Sequence, residues 1–361
     1  MPARGGGRIA LVSIREASRT EARAHVSARV EDAVVGAVGS RLGRRGWRPR
    51  VLAYTGYGAP GWVRVFARVL LSPPRRPGES DAERRDPQRG WRAFVTLPVA
   101  RCVVTVDVGS ARHQVVTDRS GYVDVRLPVD LEPGWHPVTM SVEGQVATNC
   151  DVRVVDPSCA VGIVSDIDDT VMVTLLPRPL IAAWNTFVLR EHARRPVPGM
   201  ARMLSDAMAA HPTGIVVYLS TGAWNVAPTL ERFLARHGYP PGPLLLTDWG
   251  PTRTGWFRSG VEHKRTALRR LVEELPHLRW LLVGDDGQHD PEIYGAFAEE
   301  RRDKVLAVAI RQLTPTEQVL ASGSTAPAER CVGRRGPVEV PWVAAADGTG
   351  LAGRLRTQGL L

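Results

Sequence analysis

Short apolar runs alternate with stretches of helical periodicity from residue 157 onward, and this alternation restricts the fold more than any other feature of the sequence. Strands and helices in alternation favour a parallel sheet with helices on both faces. We therefore expect an α/β fold class, with a doubly wound parallel-sheet domain over residues 157–320. The strand-like runs are 162–165, 214–219, 244–246, 280–283 and 305–310.

Ahead of this domain lies a region of residues 47–156, and within it residues 91–155 follow a different pattern, in which apolar and polar side chains alternate with a period of two. Turn-forming sequences at 118–121 and 132–134 separate these short runs. Many short strands spaced by turns are typical of a small all-β sandwich. The sequence thus predicts a β-sandwich domain ahead of the α/β domain.

The two ends of the chain differ from both domains. Apolar residues recur at three- and four-residue steps over 20–45, which predicts an amphipathic helix within an amino-terminal region of residues 1–46. This helix either packs against the body of the protein or lies on a membrane surface. Residues 321–361 are rich in Gly, Ala and Arg without any period, so we expect a disordered tail there.

The chain has 361 residues and a formal net charge of +10, which favours an acidic partner such as a phosphorylated substrate or an anionic membrane. Nucleic acid is disfavoured because no segment matches a known nucleic-acid-binding module. No run approaches the roughly 18 apolar residues of a membrane span, and the first residues lack the apolar core of a signal peptide. We expect a cytoplasmic protein, with peripheral contact at the inner face of the membrane as an open alternative.

An acidic cluster formed by Asp166, Asp168 and Asp169 directly follows the first strand-like run. Carboxylates this close repel one another unless a cation lies among them, and oxygen ligands suit a hard cation such as Mg²⁺. An EF-hand calcium loop is excluded, because Val171 and Pro177 occupy the positions that need Gly and Glu.

A second acidic cluster, with Asp285, Asp286 and Asp290, follows the fourth strand-like run. Because the carboxyl ends of parallel strands meet at one edge of a sheet, we expect the two clusters to share a divalent cation there. Two further signals lie beside other strands. Lys264 is one of only two lysines in the chain, and Ser220-Thr221-Gly222 closes the second run with a hydroxyl and backbone N–H groups that can hold a phosphate oxygen.

In chain order these motifs read DxDxT, Ser, Lys and GDxxxxD, a pattern that resembles the haloacid dehalogenase-like phosphatase superfamily. A narrower resemblance, over about residues 160–313, is to the catalytic domain of the actin-patch-type phosphatidate phosphatases, in their bacterial form. The second and fourth motifs depart from the fungal pattern. The stretches that carry the resemblance are 165–170, 196–200, 218–224, 263–264 and 284–294.

This resemblance implies a Mg²⁺-dependent phosphatase that works through an aspartyl-phosphate intermediate. Asp166 would be the nucleophile, Asp168 the acid and base, and Lys264 the cation that offsets phosphoryl charge. Mg²⁺ would be held by Asp166, by Asp285 and by the backbone carbonyl of Asp168. Asp286 and Asp290 would support this centre. The substrate would be bound by Thr170, Ser220, Thr221, Gly222 and Lys264.

The resemblance further implies a phosphate monoester substrate, namely phosphatidate or a related lipid phosphate. Basic and aromatic residues between the motifs suit an amphiphilic phosphate at a membrane surface. Two alternatives stay open: a phosphatase of a soluble metabolite or phosphoprotein, and a membrane-binding module whose catalytic domain is idle. The basic and aromatic residues are Arg178, Trp184, Phe187, Arg190, Arg194, Arg195, Trp249, Trp256, Phe257 and Arg258.

Overall fold

The computed structural model describes residues 41–74, 97–173, 195–247, 260–287, 289–322 and 340–361. Of the predicted amino-terminal helix, only its end falls in these ranges, where residues 41–44 are helical. The predicted basic and aromatic rim lies outside the described residues except for Arg195. No helix within the described ranges is long and apolar enough to cross a bilayer.

Among the described residues, the larger of the two main sheets has eight strands in the order β3-β2-β1-β8-β7-β4-β5, and β6 pairs with β2 on the same edge as β3. All of its pairings are antiparallel except that of β1 with β8. Its two ends approach each other, since β5 contacts β6. The sheet therefore curls around a valine-rich core of its own. The strands are β1 (Arg48–Ala59), β2 (Trp62–Ser72), β3 (Leu97–Pro98), β4 (Val103–Val108), β5 (Ala111–Val116), β6 (Tyr122–Pro128), β7 (Gly134–Ser141) and β8 (Thr148–Val154).

The predicted fold class, a doubly wound parallel-sheet domain of the haloacid dehalogenase-like kind preceded by a small β-sandwich, is wrong for this chain. The largest sheet of the described residues is mixed, mostly antiparallel and curled, and these residues contain more strand than helix. The period-two pattern could not reveal the pairing, because short alternating strands form either one curled sheet or two facing sheets. The longest strands, β1 and β2, were missed because both their faces are largely buried, which removes the alternation.

Within the described ranges, the second sheet has six parallel strands in the order β13-β12-β9-β14-β15-β16. In this order β9 lies between β12 and β14, so the residues that follow these three strands emerge at one edge. Strands β10 (Met172–Val173) and β11 (Arg195–Pro196) follow β9 in the chain and pair with each other as a separate two-stranded sheet. The six strands are β9 (Val161–Ser165), β12 (Ile215–Ala223), β13 (Leu244–Thr247), β14 (Arg279–Asp285), β15 (Val305–Arg311) and β16 (Trp342–Ala345).

Helices connect these strands, and apolar residues at helical spacing explain why they pack. In the helix that carries Lys264, the buried positions include Ala267, Leu268, Leu271 and Val272, one stripe of a 3.6-residue period. The helices are α1 (Met200–Ala210), α2 (Ala227–Arg236), α3 (Gly260–Glu274), α4 (Asp290–Glu300), α5 (Pro315–Ser322) and α6 (Gly348–Thr357).

The prediction of a disordered tail over 321–361 is wrong for its last part. Strand β16 pairs with β15, and α6 packs beside α1 with Leu351 and Leu355 buried. The side chain of Asp347 caps α6 by accepting a hydrogen bond of 2.9 Å from the Gly350 N–H. Small and basic residues hid this segment in the sequence, because too few large apolar side chains mark the buried face.

The two sheets meet through the outer face of β1 and β2. Tyr54 and Phe66 pack against Trp224, with ring centroids 4.6 and 5.8 Å apart, respectively. At the far end of α3, Glu274 accepts a hydrogen bond of 2.6 Å from the Tyr57 hydroxyl and also pairs with Arg64 of β2. The antiparallel sheet therefore contacts two elements that also reach the site described next: α3 and the segment after β12.

Candidate active site

Three buried carboxylates, those of Asp166, Asp285 and Asp290, converge at the edge of the parallel sheet, each offering an oxygen within 4.8 Å of the others. Asp166 follows β9 and Asp285 ends β14, the neighbouring strand, while Asp290 begins α4. The expectation that the two acidic clusters meet is thus confirmed by the geometry, and Asp290 joins the group.

Asp166 is anchored by its backbone, whose N–H donates to the carbonyl of Val283 on β14 at 2.9 Å. Its Oδ1 accepts a hydrogen bond of 2.7 Å from Lys264, whereas its Oδ2 is buried and has no hydrogen-bond partner in the part of the chain that the structure describes. Burial raises the pKa of Asp166 to about 8; Lys264 opposes this shift, and the nearby Asp290 and Asp168 add to it. Keeping the Asp166 carboxyl group ionised at neutral pH therefore costs free energy in this buried site.

Lys264 projects from the first turns of α3 and is only 2% exposed. Its ammonium donates to Oδ1 of Asp166 at 2.7 Å and to Oδ1 of Asp290 at 2.5 Å. Burial alone lowers the pKa of Lys264, but the two carboxylates outweigh it, so the pKa lies well above its ordinary value. The side chain is therefore a buried cation shared between two acidic groups.

Gly284, the residue before Asp285 in β14, leaves room for the side chain of Asp290. A Cβ at Gly284 would lie 2.6 Å from Oδ2 of Asp290, which is closer than two non-bonded atoms of this kind can approach. Oδ1 of Asp285 accepts a hydrogen bond of 2.7 Å from the Gly287 N–H. Burial raises the pKa of Asp285 well above its ordinary value, and Asp290 and Asp166 raise it further.

The donor set fits a divalent cation. One oxygen of each of the three carboxylates, Oδ2 of Asp166, Asp285 and Asp290, is buried without a hydrogen-bond partner among the described residues. Lys264 supplies one positive charge against three acidic groups, which leaves a deficit of positive charge in a buried site. Oxygen ligands alone suit a hard ion such as Mg²⁺ or Ca²⁺. The predicted metal ligands were the carboxylates of Asp166 and Asp285 and the backbone carbonyl of Asp168; the group of side chains in the structure contains the two carboxylates together with that of Asp290.

Asp168 lies next to this group and contacts the second predicted motif. Its Oδ2 accepts a hydrogen bond of 3.0 Å from the Ser220 hydroxyl, and its Oδ1 is buried with no hydrogen-bond partner within the described ranges. Ser220 in turn accepts from the Gly222 N–H at 3.0 Å. Since a serine has a single hydroxyl proton, Ser220 directs it at Asp168 in this structure. The motif after β12 therefore contacts the first acidic cluster directly.

The remaining predicted residues surround this centre. Thr170 is fully buried, and none of the residues that the structure describes forms a hydrogen bond with its hydroxyl. Thr221 packs against Gly260 at the start of α3, where an added Cβ would lie 2.6 Å from the threonine methyl group. Asp286 points elsewhere: its Oδ1 accepts from the Leu313 N–H at 2.8 Å, so it supports the turn after β15.

Two residues near the site carried no assigned role in the sequence. Arg311 ends β15 and donates from Nη1 to the carbonyl of Asp169 at 2.7 Å. Trp224 closes the segment that begins at Ser220 and packs on Tyr54. Contacts between residues so far apart in the chain leave no local pattern in the sequence. A signal was available for Arg311 alone, because a charged residue is unusual at the end of a buried strand.

Comparison with known proteins finds similarity over the segment that contains this site. Residues 161–312 match the family model described as phosphatidate phosphatase APP1, catalytic domain. The chain is 24% identical over 237 residues to phosphatidate phosphatase APP1 of Saccharomyces cerevisiae, which covers 61% of this chain and 39% of the yeast protein. It is also 25% identical over 167 residues to an uncharacterized protein of Schizosaccharomyces pombe, covering 45% of this chain and 27% of that protein. The chain thus spans less than half the length of these curated relatives.

Solved structures give no comparable support. A carbohydrate acetylesterase of Xanthomonas citri aligns with a TM-score of 0.27 and 11% identity over 76% of this chain and 73% of that chain. PhoD aligns with a TM-score of 0.28 and 11% identity over 73% of this chain and 71% of that chain. Alignments this weak carry no argument. The family match agrees with the narrower resemblance, since the matched model is described as the catalytic domain of a phosphatidate phosphatase.

Proposed function

We propose that this chain, whose residues 161–312 match the catalytic domain of a phosphatidate phosphatase, is a Mg²⁺-dependent phosphatase that hydrolyses a phosphate monoester of the lipid class. The observation that carries the proposal is the convergence of Asp166, Asp285 and Asp290, each with a buried oxygen that has no hydrogen-bond partner among the described residues. The family match supports the phosphatase class, and the acidic group supports a cation.

In the proposed first step, Asp166 attacks the phosphorus atom. A bond forms between its carboxylate oxygen and phosphorus while the bond from phosphorus to the leaving oxygen breaks. Asp168 gives its proton to that leaving oxygen, which departs as an alcohol. The product of this step is an aspartyl phosphate on Asp166.

In the second step, water attacks the phosphorus of the aspartyl phosphate. Asp168 takes a proton from the water, the bond from phosphorus to Asp166 breaks, and inorganic phosphate leaves. The hydrogen bond from Ser220 to Asp168 holds this carboxyl group in one orientation for both proton transfers. Lys264 keeps the nucleophile and Asp290 in place and offsets the negative charge that gathers around the phosphoryl group.

A divalent cation fits beside Asp166, Asp285 and Asp290, and when bound it would screen the approach of an anionic nucleophile to an anionic phosphate. Asp286 would act by shaping the turn after β15, since its Oδ1 is already used by the Leu313 N–H. Thr170, Thr221 and Gly222 would line the phosphoryl site.

A lipid phosphate is proposed on two grounds. The matched catalytic domain is that of a phosphatidate phosphatase, and the net charge of +10 favours an anionic surface. A peripheral position at the inner face of a membrane follows from that substrate. A soluble phosphate ester or a phosphoprotein would use the same centre, so the substrate must be tested directly.

The test measures release of inorganic phosphate by purified protein in Mg²⁺. The substrates are phosphatidate in phosphatidylcholine vesicles and a panel of soluble sugar, nucleotide and peptide phosphates, each repeated in EDTA. We expect release from phosphatidate, loss in EDTA and recovery when Mg²⁺ is restored. Asp166→Asn should fold normally and lose turnover by about 10⁴-fold or more.

The matched control is Asp303→Asn, a change of the same chemistry at an exposed aspartate beside Lys304, and it should keep wild-type rates. Release from soluble esters alone would reject the lipid substrate. Wild-type turnover by Asp166→Asn would reject the nucleophile, and no release from any substrate would reject the phosphatase itself.

A further inference from the structure

Arg311 is almost fully buried at the end of β15, and its side chain makes hydrogen bonds in three directions. Nη1 donates to the carbonyl of Asp169 at 2.7 Å, and Nη2 donates to Oε1 of Glu317 at 2.7 Å. Nε donates to the carbonyl of Ala346 at 3.2 Å. A guanidinium group can satisfy three fixed acceptors at once, whereas a lysine ammonium on a flexible stem would not hold this geometry.

The carbonyl held by Arg311 belongs to a residue in an unfavourable conformation. Asp169 has a φ of 59°, in the left-handed region that residues with a Cβ rarely adopt. Such a conformation persists only where surrounding contacts impose it. Arg311 provides one such contact from the side chain, and the hydrogen bond of 2.8 Å from the Asp169 N–H to Met172 provides another from the backbone. Asp169 directly follows Asp168, so this turn also sets where the acid and base carboxyl lies.

The backbone of Arg311 contacts the second acidic cluster. It is paired with Asp285 in the register of β14 and β15, and its carbonyl accepts a hydrogen bond of 3.0 Å from the Asp286 N–H. On the opposite side it is paired with Ala345 of β16. One residue therefore joins the turn after β9, the turn after β14 and the carboxyl-terminal strand.

We propose that Arg311 is a positioning residue, which fixes the two acidic turns relative to each other through the carbonyl of Asp169. Glu317 neutralises the guanidinium group and holds its orientation. Through Ala346, residues 340–361 belong to the catalytic unit, although the family match ends at residue 312. Arg311 contacts neither a carboxylate of the cation group nor the reacting atoms, so its effect runs through the turn at Asp169. The catalytic part of this inference rests on the proposed phosphatase function.

The first test compares Arg311→Ala and Arg311→Lys with Arg153→Ala. Arg153 is the matched control, because it also donates to two backbone carbonyls, those of Gly214 and Pro212, at the opposite end of β12. We expect kcat on the best substrate to fall by about 10²-fold in Arg311→Ala, with KM nearly unchanged, because a small misplacement of reacting groups has effects of this size. Arg311→Lys should lie between Arg311→Ala and wild type. Millimolar guanidinium should restore part of the rate of Arg311→Ala and none in Arg153→Ala.

The second test measures hydrogen exchange of the peptide that covers residues 166–173 and does not depend on activity. Exchange there should be faster in Arg311→Ala and in Glu317→Gln than in wild type, and unchanged in Arg153→Ala. Unchanged exchange in both site variants, or a loss of rate without rescue by guanidinium, would overturn the proposal. Should Arg311→Ala fail to fold, Arg311→Lys and Glu317→Gln decide by the same two measurements. If wild type releases no phosphate from any substrate, the proposed function fails, while the exchange result still decides whether Arg311 holds the turn.

Discussion

The ammonium of Lys264 lies 2.5 Å from Oδ1 of Asp290, and both side chains are almost completely removed from solvent. The same ammonium reaches Asp166 at 2.7 Å, so a single buried cation holds together two residues that are far apart in the chain. Removing one member of a buried ion pair leaves the other charge without compensation, which costs more than the pair contributes. This relationship makes Lys264 important for stability as well as for the proposed chemistry.

Lys264→Met should lower the free energy of unfolding by about 3–5 kcal/mol in EDTA, because two buried carboxyl groups lose their shared cation. The matched control is Lys304→Met, which removes the only other lysine. Lys304 donates to the carbonyl of Pro276 at 2.6 Å nearer the surface, and its loss should cost about 1 kcal/mol. Urea unfolding of both variants measures the difference. If the two variants lost the same free energy of unfolding, the buried ion pairs of Lys264 would contribute no more to stability than the surface hydrogen bond of Lys304.

Mg²⁺ should stabilise the folded protein, because an ion that binds only the folded state shifts the unfolding equilibrium. At a concentration of 100 times its dissociation constant, this stabilisation is about 2.7 kcal/mol. Asp285→Asn and Asp290→Asn should lose most of it, since each removes an unpartnered carboxylate oxygen from the group. Asp286→Asn is the control and should keep the stabilisation. The stabilisation is measured by thermal unfolding at increasing Mg²⁺ concentrations. If Mg²⁺ raised the unfolding temperature of Asp285→Asn as much as that of wild type, the cation site would be contradicted.

Glu231 on α2 should make stability fall as the pH rises through neutrality. Burial raises its pKa from 4.5 to about 7, only partly opposed by Arg232. The folded state therefore binds this proton more tightly than the unfolded chain, so the contribution is complete below about pH 4.5 and disappears as the pH passes 7.

Glu231→Gln should remove this dependence and be the more stable protein at pH 8, by on the order of 1–3 kcal/mol. The exposed Glu299 on α4 offers the control change Glu299→Gln. Urea unfolding at pH 5 and pH 8 gives the comparison. A Glu231→Gln variant that tracks wild type at both pH values would refute the assignment.

Trp224 should be required for both stability and activity, because it joins the Ser220 segment to the antiparallel sheet. Its ring is 7% exposed and packs on Tyr54 and Phe66. Trp224→Ala should cost about 3–5 kcal/mol and lower the rate at temperatures where the protein is still folded. Trp135→Ala, at a tryptophan that is 39% exposed, should cost less than half as much. Calorimetry and phosphate release on both variants test this, and a fully active Trp224→Ala would show that the contact does not organise the site.

The sequence located the candidate site better than it described the fold. Asp166 and Asp285 were placed at a common edge because each follows an apolar run. This signal is local, so it does not depend on how the rest of the chain folds. The participation of Asp290 in the acidic group depends on the turn between β14 and α4 and on the missing side chain of Gly284, which periodicity does not report.

The fold class failed for a related reason. Strands β1 and β2 are buried on both faces. One face packs into the core of their own sheet and the other packs against the parallel sheet, so their sequence shows no alternation. Strand β16 is only four residues long and contains three small or medium apolar side chains. Such a strand is defined by its neighbour β15, and pairing with a neighbour is information that a single sequence does not contain.

The late position of β16 in the chain has a consequence for protein synthesis. While translation proceeds, β15 emerges from the ribosome before its outer neighbour exists, and its unpaired backbone groups from Val308 to Arg311 border an almost entirely apolar strand. An open edge of this kind can pair with another nascent chain. The cell therefore has an interval in which aggregation competes with completion of the sheet, and chaperone binding to this edge would protect the newly made protein until residues 342–345 arrive.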